Sequence, residues 1–129
     1  MKRSAGFTVI ELLVAILFLA TATVILLVQK NNLQATQRDS QRKAAINAMY
    51  YNLEEVFFEK NGFYPEKIDS KTLRAMDPGL FTDPGGFKLG EADSTYRYES
   101  ANCTNQQCTS YTLRADLERE ADYVKKNRN

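Results

Sequence analysis

The side chain best placed to do chemistry is Glu11, a lone acid inside an apolar stretch. From Phe7 to Val28 the chain is otherwise interrupted only by Thr8, Thr21 and Thr23. A carboxylate in a membrane-spanning helix costs about 2.5–3.5 kcal/mol to insert, and such groups are usually paired with a partner charge. Glu11 is therefore expected to have a specific partner.

Cys103 and Cys108 form the second candidate site. They are the only cysteines of the chain and lie in the polar stretch 102–108, which we interpret as a loop between two strands. With Lys2 and Arg3 holding the N-terminus inside, this stretch would lie outside the membrane, where disulfides persist. A lone C-x4-C pair lacks the further ligands of a metal site. We predict a disulfide that closes the hairpin and adds about 2 kcal/mol.

The composition argues against an enzyme. The chain has no histidine, which removes the commonest general base and the commonest protein metal ligand together. Its serines therefore lack a histidine partner, and we interpret its carboxylates as solvent-facing. With 17 Lys and Arg against 16 Asp and Glu, the charge balance predicts no nucleic-acid partner.

One long helix must position Glu11. No glycine or proline occurs from Phe7 to Asn61, and the stretch is rich in helix-forming residues. Its later part predicts the spine of a small head domain, because apolar residues recur there at helical spacing. These are Ile46, Met49, Tyr50, Leu53, Val56 and Phe57.

The middle of this helix, residues 29–43, is polar on nearly every side and is predicted to bridge membrane and head. Its charged residues Arg38, Asp39, Arg42 and Lys43 are interpreted as a solvated face. The alternative is pairing between subunits of a filament.

The remaining chain predicts an α+β head that packs on the long helix. Gly62 and Pro65 end the helix. A short helix is expected at Ser70–Met76 with Ser70 as N-cap. Turns follow at residues 77–79 and 83–86, with Phe81 and Phe87 expected in the core. Residues 95–99 and 109–114 read as an antiparallel pair, with a further short strand near 87–89.

The last segment, Leu117–Arg128, carries acids before bases. That order suits a helix macrodipole and predicts a short surface helix, with a solvated tail as the alternative.

Three ordinary interpretations of the apolar stretch are open. A secretory signal peptide would use the A-x-A-like site at Ala20-Thr21-Ala22. A plain single-pass anchor would need roughly 20 apolar residues. A buried core helix would need a larger remaining chain to cover it. None of the three explains Glu11.

The pattern Gly6-Phe7-Thr8-x-x-Glu11 after a short basic leader resembles the type IV pilin and pseudopilin family. The resemblance implies that a prepilin peptidase removes residues 1–6 by cutting between Gly6 and Phe7. It further implies that the Phe7 amine is methylated and that Glu11 pairs with the Phe7 ammonium of a neighbouring subunit. Residues 7–28 would be the transmembrane and filament-core helix, 29–61 its continuation into the head, and 62–129 the globular head.

The helix end at residues 59–65 is also similar to the junction of major pseudopilins and short pilins.

In one region the chain departs from the family. It lacks both the proline often found in the region that here reads Thr23–Val28 and the glycine before it. These residues therefore give no support for the local unwinding that family filaments show there. Major pseudopilins often bind calcium near the C-terminal strands, which makes Glu91, Asp93 and Glu99 the candidate acids here, although they form no spaced ligand motif.

The function implied by the resemblance is that of a structural subunit, polymerising into a helical surface pilus used in adhesion, twitching motility or DNA uptake. The precursor would span the cytoplasmic membrane once. Its partners would be copies of itself, minor pilins, the prepilin peptidase, and an inner-membrane assembly platform with its motor. A pseudopilin of a type II secretion or competence system is one alternative. A membrane-tethered binding module that never polymerises is another.

Overall fold

The computed structural model describes residues 6–128 and divides into two compact units, one ending at Ala35 and the other beginning at Thr36. Helix α1 spans Val9–Tyr51, a π-helical segment follows at Asn52–Phe58, and helix α2 completes the run at Glu59–Asn61. Gly62 ends it in the left-handed conformation, with φ of 74°, as predicted. The predicted long helix is therefore confirmed, apart from its π-helical segment.

The first unit contains the apolar beginning of α1 and the first polar residues after it, up to Ala35. The helix starting at Val9 is long and apolar enough to cross a membrane, with a window of mean hydropathy 2.7 of which no part is buried. The same length and composition also fit a signal sequence close to an N-terminus. The residues buried in α1 all lie in its later part, from Asp39 to Met49.

In the second unit, helix and sheet enclose one apolar core. Ile46, Met49 and Leu53 of the predicted stripe are fully buried, whereas Val56 is 42% exposed. The π-helical segment explains the difference. Its turns are wider than α-helical turns, so side chains beyond its start no longer follow the 3.6-residue period.

The sheet has four antiparallel strands: β1 (Tyr64–Pro65), β2 (Tyr96–Thr104), β3 (Gln107–Ala115) and β4 (Tyr123–Lys126). β3 is central, with β2 on one side and both β1 and β4 on the other. This confirms the α+β class and the predicted hairpin. The expected loop at 102–108 is wrong, because both strands continue through it to a two-residue turn at Asn105 and Gln106. Both turn residues have positive φ, as a tight hairpin turn requires.

The final segment is a strand where we expected a helix or a tail. β4 pairs with β3 from Tyr123 opposite Ala115 to Lys126 opposite Thr112. Four residues are too few to show the alternating pattern of a strand, whereas acids before bases are typical of a helix.

The connection between β1 and β2 is built mainly from turns. The helix predicted at Ser70–Met76 is absent from the described chain, and Asp69, rather than Ser70, accepts the N–H groups of Lys71 and Thr72. A 3₁₀ helix occupies Pro78–Phe81. Residues 87–89 contribute only a single bridge, from Lys88 to Thr82.

The two phenylalanines of this connection behave differently. Phe81 is buried, as predicted, but Phe87 is 40% exposed and does not plug the core.

Candidate functional site

Glu11 lies at the start of α1, where it and Thr8 close a capping box. The Thr8 backbone N–H and hydroxyl both donate to Glu11 Oε2, at 2.8 and 2.9 Å. In return, the Glu11 N–H donates to the Thr8 hydroxyl at 3.3 Å. These bonds satisfy N–H groups that a helix start leaves without intrahelical partners.

The sequence carried a signal for this arrangement that we missed. Thr8-x-x-Glu11 before an apolar run is the capping-box pattern, and it gives Glu11 a partner in its own chain. The expected pairing of Glu11 with the amine of another subunit is a separate contact and stays a prediction. Gly6 and Phe7, which flank the predicted cleavage bond, are both exposed, Phe7 by 88%. Residues 1–5 of the predicted leader lie outside the described residues.

The apolar residues that follow Glu11 are exposed around the whole helix. Large side chains from Leu12 to Val28 are 47–71% exposed. The two threonines within this stretch do not interrupt it, because their hydroxyls donate to carbonyls of the preceding turn: Thr21 to Phe18 at 2.9 Å and Thr23 to Leu19 at 2.7 Å. The helix is continuous across 20–28. Such a surface can be covered by lipid chains or by another apolar helix.

A second group of functional interest, which we name the charged clamp, joins the helix of the head to the segment before β4. Its members are Arg38, Asp39, Arg42 and Lys43 on α1, with Glu118 and Glu120 on the segment before β4. The expected solvated face is therefore wrong. These helix charges are paired within one chain.

Asp39 is the centre of the charged clamp and is only 2% exposed. Its carboxylate accepts the backbone N–H of Glu118 at 2.9 Å, that of Arg119 at 3.0 Å, and Arg42 at 2.8 Å. Burial alone would raise the pKa of Asp39, but these three donors together hold it below its usual value. Asp39 therefore fixes the path of the backbone before β4.

The outer pairs of the charged clamp are more exposed. Arg38 binds Glu118 through two parallel bonds of 2.6 and 2.7 Å, and Arg42 donates to the same carboxylate at 2.8 Å. Bonds from Arg38 and then Arg42 lower the pKa of Glu118 to about 2. Lys43 pairs with Glu120 at 2.6 Å.

A further ion pair lies just after β4. Arg128 donates to Glu55 and to the hydroxyl of Tyr50. The C-terminal segment is therefore held to the helix at both ends.

Two other carboxylates are buried in the head, contrary to the interpretation that its carboxylates face solvent. Glu54, 5% exposed, accepts the hydroxyls of Tyr111 at 2.7 Å and Tyr64 at 3.1 Å. Burial, and then the bond to Glu54, raise the pKa of Tyr111. Asp83, 5% exposed, accepts N–H groups of Gly85, Phe87 and Thr95 at 2.8–3.0 Å.

The loop considered for calcium is thus organised by Asp83 and backbone donors. Glu91, Asp93 and Glu99 do not come together: within residues 6–128, no group of three or more acidic or cysteine side chains could hold a metal ion. Glu91 instead accepts the backbone N–H of Lys88 at 2.9 Å.

Cys103 and Cys108 are joined by a disulfide across the β2–β3 hairpin, with Cα atoms 3.9 Å apart. The predicted disulfide, which we name the clasp, is present, although it links two paired strands rather than closing a loop. Beside the hairpin turn lies an open groove of about 550 Å³, which reaches from Phe57 and Phe63 to the amide side chains of residues 105–107.

Comparison of the chain with models of protein families, with curated proteins and with solved structures finds no match. Function must therefore be inferred from the residues of this chain.

Proposed function

We propose that this chain is a structural subunit of the type IV pilin kind, which polymerises through its N-terminal helix into a surface filament. The observation that carries the proposal is the exposed apolar helix beginning directly after Gly6-Phe7-Thr8-x-x-Glu11. Adhesion, twitching motility and DNA uptake are the uses that such a filament would serve.

The apolar segment supports this function because it is hydrophobic on every side. A surface helix of a soluble domain has one apolar stripe, whereas an all-round apolar helix needs an apolar environment. Before assembly the membrane provides that environment, since roughly 20 residues span its hydrocarbon. In a filament the same segments of other copies would provide it.

Glu11 would act twice in this scheme. In the precursor its carboxylate caps the helix through Thr8. After cleavage, Phe7 would carry a positive amine, and the amine of one subunit would neutralise Glu11 of the next. A buried carboxylate with a matched cation is tolerated, whereas an unpaired one is strongly disfavoured. Docking in the correct stagger would therefore be favoured.

The processing and assembly partners follow from the same proposal. A prepilin peptidase would cut the bond between Gly6 and Phe7. An inner-membrane platform with a cytoplasmic motor would extract the subunit, and minor pilins would join copies of this chain in the filament.

The first experiment is intact mass measurement with N-terminal sequencing of protein sheared from the cell surface. We expect a chain beginning at Phe7 with the mass of one additional methyl group. A chain beginning at Thr23 would indicate a signal peptide and a secreted head. A chain that starts at Met1 and is found only in membranes would favour a tethered binding module, for which the groove beside the hairpin turn is the candidate surface.

A matched pair of substitutions then separates the two roles of Glu11. Glu11→Val removes both the cap and the charge, whereas Glu11→Gln keeps a side chain that capping boxes accept and removes only the charge. We expect both variants to reach the membrane at normal levels and to yield no sheared filaments. Normal filaments from Glu11→Gln would show that capping suffices and would overturn the pairing between subunits.

A further inference from the structure

The two cysteines of the disulfide lie in unequal surroundings. Cys108 is fully buried, belongs to the core cluster of the head and pairs across strands with Tyr64. Cys103 is exposed, as are the residues on either side of it. One cysteine of the pair is therefore enclosed by the core and the other is exposed to solvent.

The sheet topology produces this asymmetry. β3, which carries Cys108, is central and is covered at that point by β1. β2, which carries Cys103, is an outer strand, and no strand pairs with its other edge within residues 6–128. The turn at Asn105 and Gln106, next to the bond, is exposed as well. An approaching molecule can therefore reach the bond from the side of Cys103.

Access decides which sulfur takes part in thiol–disulfide exchange. The attacking group is a thiolate, and the rate depends on which sulfur it can reach. We propose that Cys103 Sγ is the exchange site of this protein, through which a dithiol–disulfide carrier in the compartment of the head opens and closes the clasp. Cys108 is the leaving sulfur during opening and the resolving sulfur during closure.

The electron balance of opening takes two steps. A carrier thiolate attacks Cys103 Sγ, a carrier–Cys103 bond forms, the Cys103–Cys108 bond breaks, and the electron pair leaves on Cys108. The second carrier thiolate then attacks the carrier sulfur of the mixed disulfide, so that Cys103 leaves as thiolate. The carrier is oxidised to its disulfide, and the clasp is reduced by two electrons. Closure is the reverse, with Cys108 attacking Cys103.

The hairpin makes reclosure an intramolecular step. Cys103 and Cys108 are directly paired across β2 and β3, in a register that runs without a shift from Tyr96 opposite Ala115 to Thr104 opposite Gln107. Strand pairing therefore keeps the cysteines opposite each other when the bond is open. This inference depends on the disulfide and its exposure alone, and it stands or falls separately from polymerisation.

The direct test uses the full chain in detergent and reduced glutathione as the attacking thiol. Brief treatment with limiting glutathione, a quench with N-ethylmaleimide and tandem mass spectrometry would locate the two labels. We expect glutathione on Cys103 and maleimide on Cys108, with an excess of about tenfold or more over the reverse pattern. Equal labelling, or glutathione mainly on Cys108, would overturn the assignment.

Two single variants provide a second, independent measurement. Cys108→Ser leaves the Cys103 thiol, and Cys103→Ser leaves the Cys108 thiol. With oxidised glutathione, Cys108→Ser should form the mixed disulfide about tenfold faster under folding conditions, and the two rates should converge in urea. Circular dichroism would establish that both variants are folded. Folded variants that react at equal rates would contradict the proposal.

Discussion

The two halves of the long helix satisfy their side chains in opposite ways. Before Ala35 the large apolar residues of α1 are exposed, as Leu17 is by 64%. Beyond Thr36 the helix buries not only Ile46 and Leu53 but also charged groups, including Asp39 and Glu54. The first half is as apolar as a protein core, yet no described residue covers it. The second half carries many charged residues, and these are paired within the head.

This contrast separates the contacts that stabilise the head from the environment that the apolar half requires. The buried carboxylates Asp39, Glu54 and Asp83 all receive donors from residues of the head itself. The exposed apolar half needs an apolar environment that the described residues do not supply. Changes in the two halves should therefore affect different measurements, namely unfolding of the head and assembly.

Among the buried charged groups, the largest expected loss of head stability is for Asp39→Ala. This change leaves Arg42, 5% exposed, without its buried partner and removes the acceptor of two backbone N–H groups. Breaking a buried pair costs about 3–5 kcal/mol. Urea unfolding followed by tyrosine circular dichroism would measure it, because all seven tyrosines lie at position 50 or later.

Lys43→Ala is the matched control. Its partner Glu120 is 58% exposed, so the loss should be about 0–1 kcal/mol. Similar losses for the two variants would show that Asp39 is not the centre of the charged clamp.

A loss of comparable or smaller size is expected for Glu54→Leu. The change leaves the hydroxyls of Tyr64 and Tyr111 buried without this acceptor, at about 1–3 kcal/mol for each donor that finds no other. Glu54→Gln keeps an acceptor oxygen and should cost clearly less. The same urea titration distinguishes them, and equal losses would show that the packing of this side chain, not its hydrogen bonds, stabilises the head.

Local patterns predicted the helix, its end and the hairpin, because each depends on neighbouring residues. Glycine, for example, is favoured where a helix ends in a left-handed conformation, and Gly62 is that residue here. The charged clamp was missed because it joins α1 to residues 76–80 positions later, such as Arg42 to Glu118 and Arg38 to Glu118. In the sequence, a charged helix face that pairs with a distant segment cannot be distinguished from one that faces solvent.

Two signals for the missed contacts were nevertheless present. The C-terminal segment carries acids and then bases, and the helix carries bases at 38–43 and then Glu55. When the segments run in the same direction, Glu118 and Glu120 meet helix bases and Arg128 meets Glu55, so the charge order fits pairing between the segments. Glu54 also lies four residues after Tyr50, on the apolar stripe itself.

Acid should weaken the charged clamp in a defined pH range. The folded pKa of Glu118 is about 2, below its ordinary value of 4.5. Its contribution is therefore complete above pH 4.5 and is lost as pH falls toward 2. Glu118→Gln should be less stable than the wild type at pH 6, and its stability should fall less steeply from pH 4.5 to 2. Because this carboxylate is 34% exposed, salt will reduce the effect. Equal slopes for the two proteins would contradict this role.

The smallest expected effect on the head is for Leu17→Ala, compared with the same change at Leu53. Leu53 is fully buried, so Leu53→Ala should cost about 2–5 kcal/mol of unfolding free energy. Leu17 is exposed and precedes the head, so Leu17→Ala should change that free energy by no more than about 0.5 kcal/mol. Alanine has a high helix propensity, so neither variant should lose stability through a weakened helix. A loss above about 1 kcal/mol at Leu17 would mean that the head depends on the apolar half. Without such a loss, a defect of Leu17→Ala in filament yield would have to arise from contacts outside the single chain.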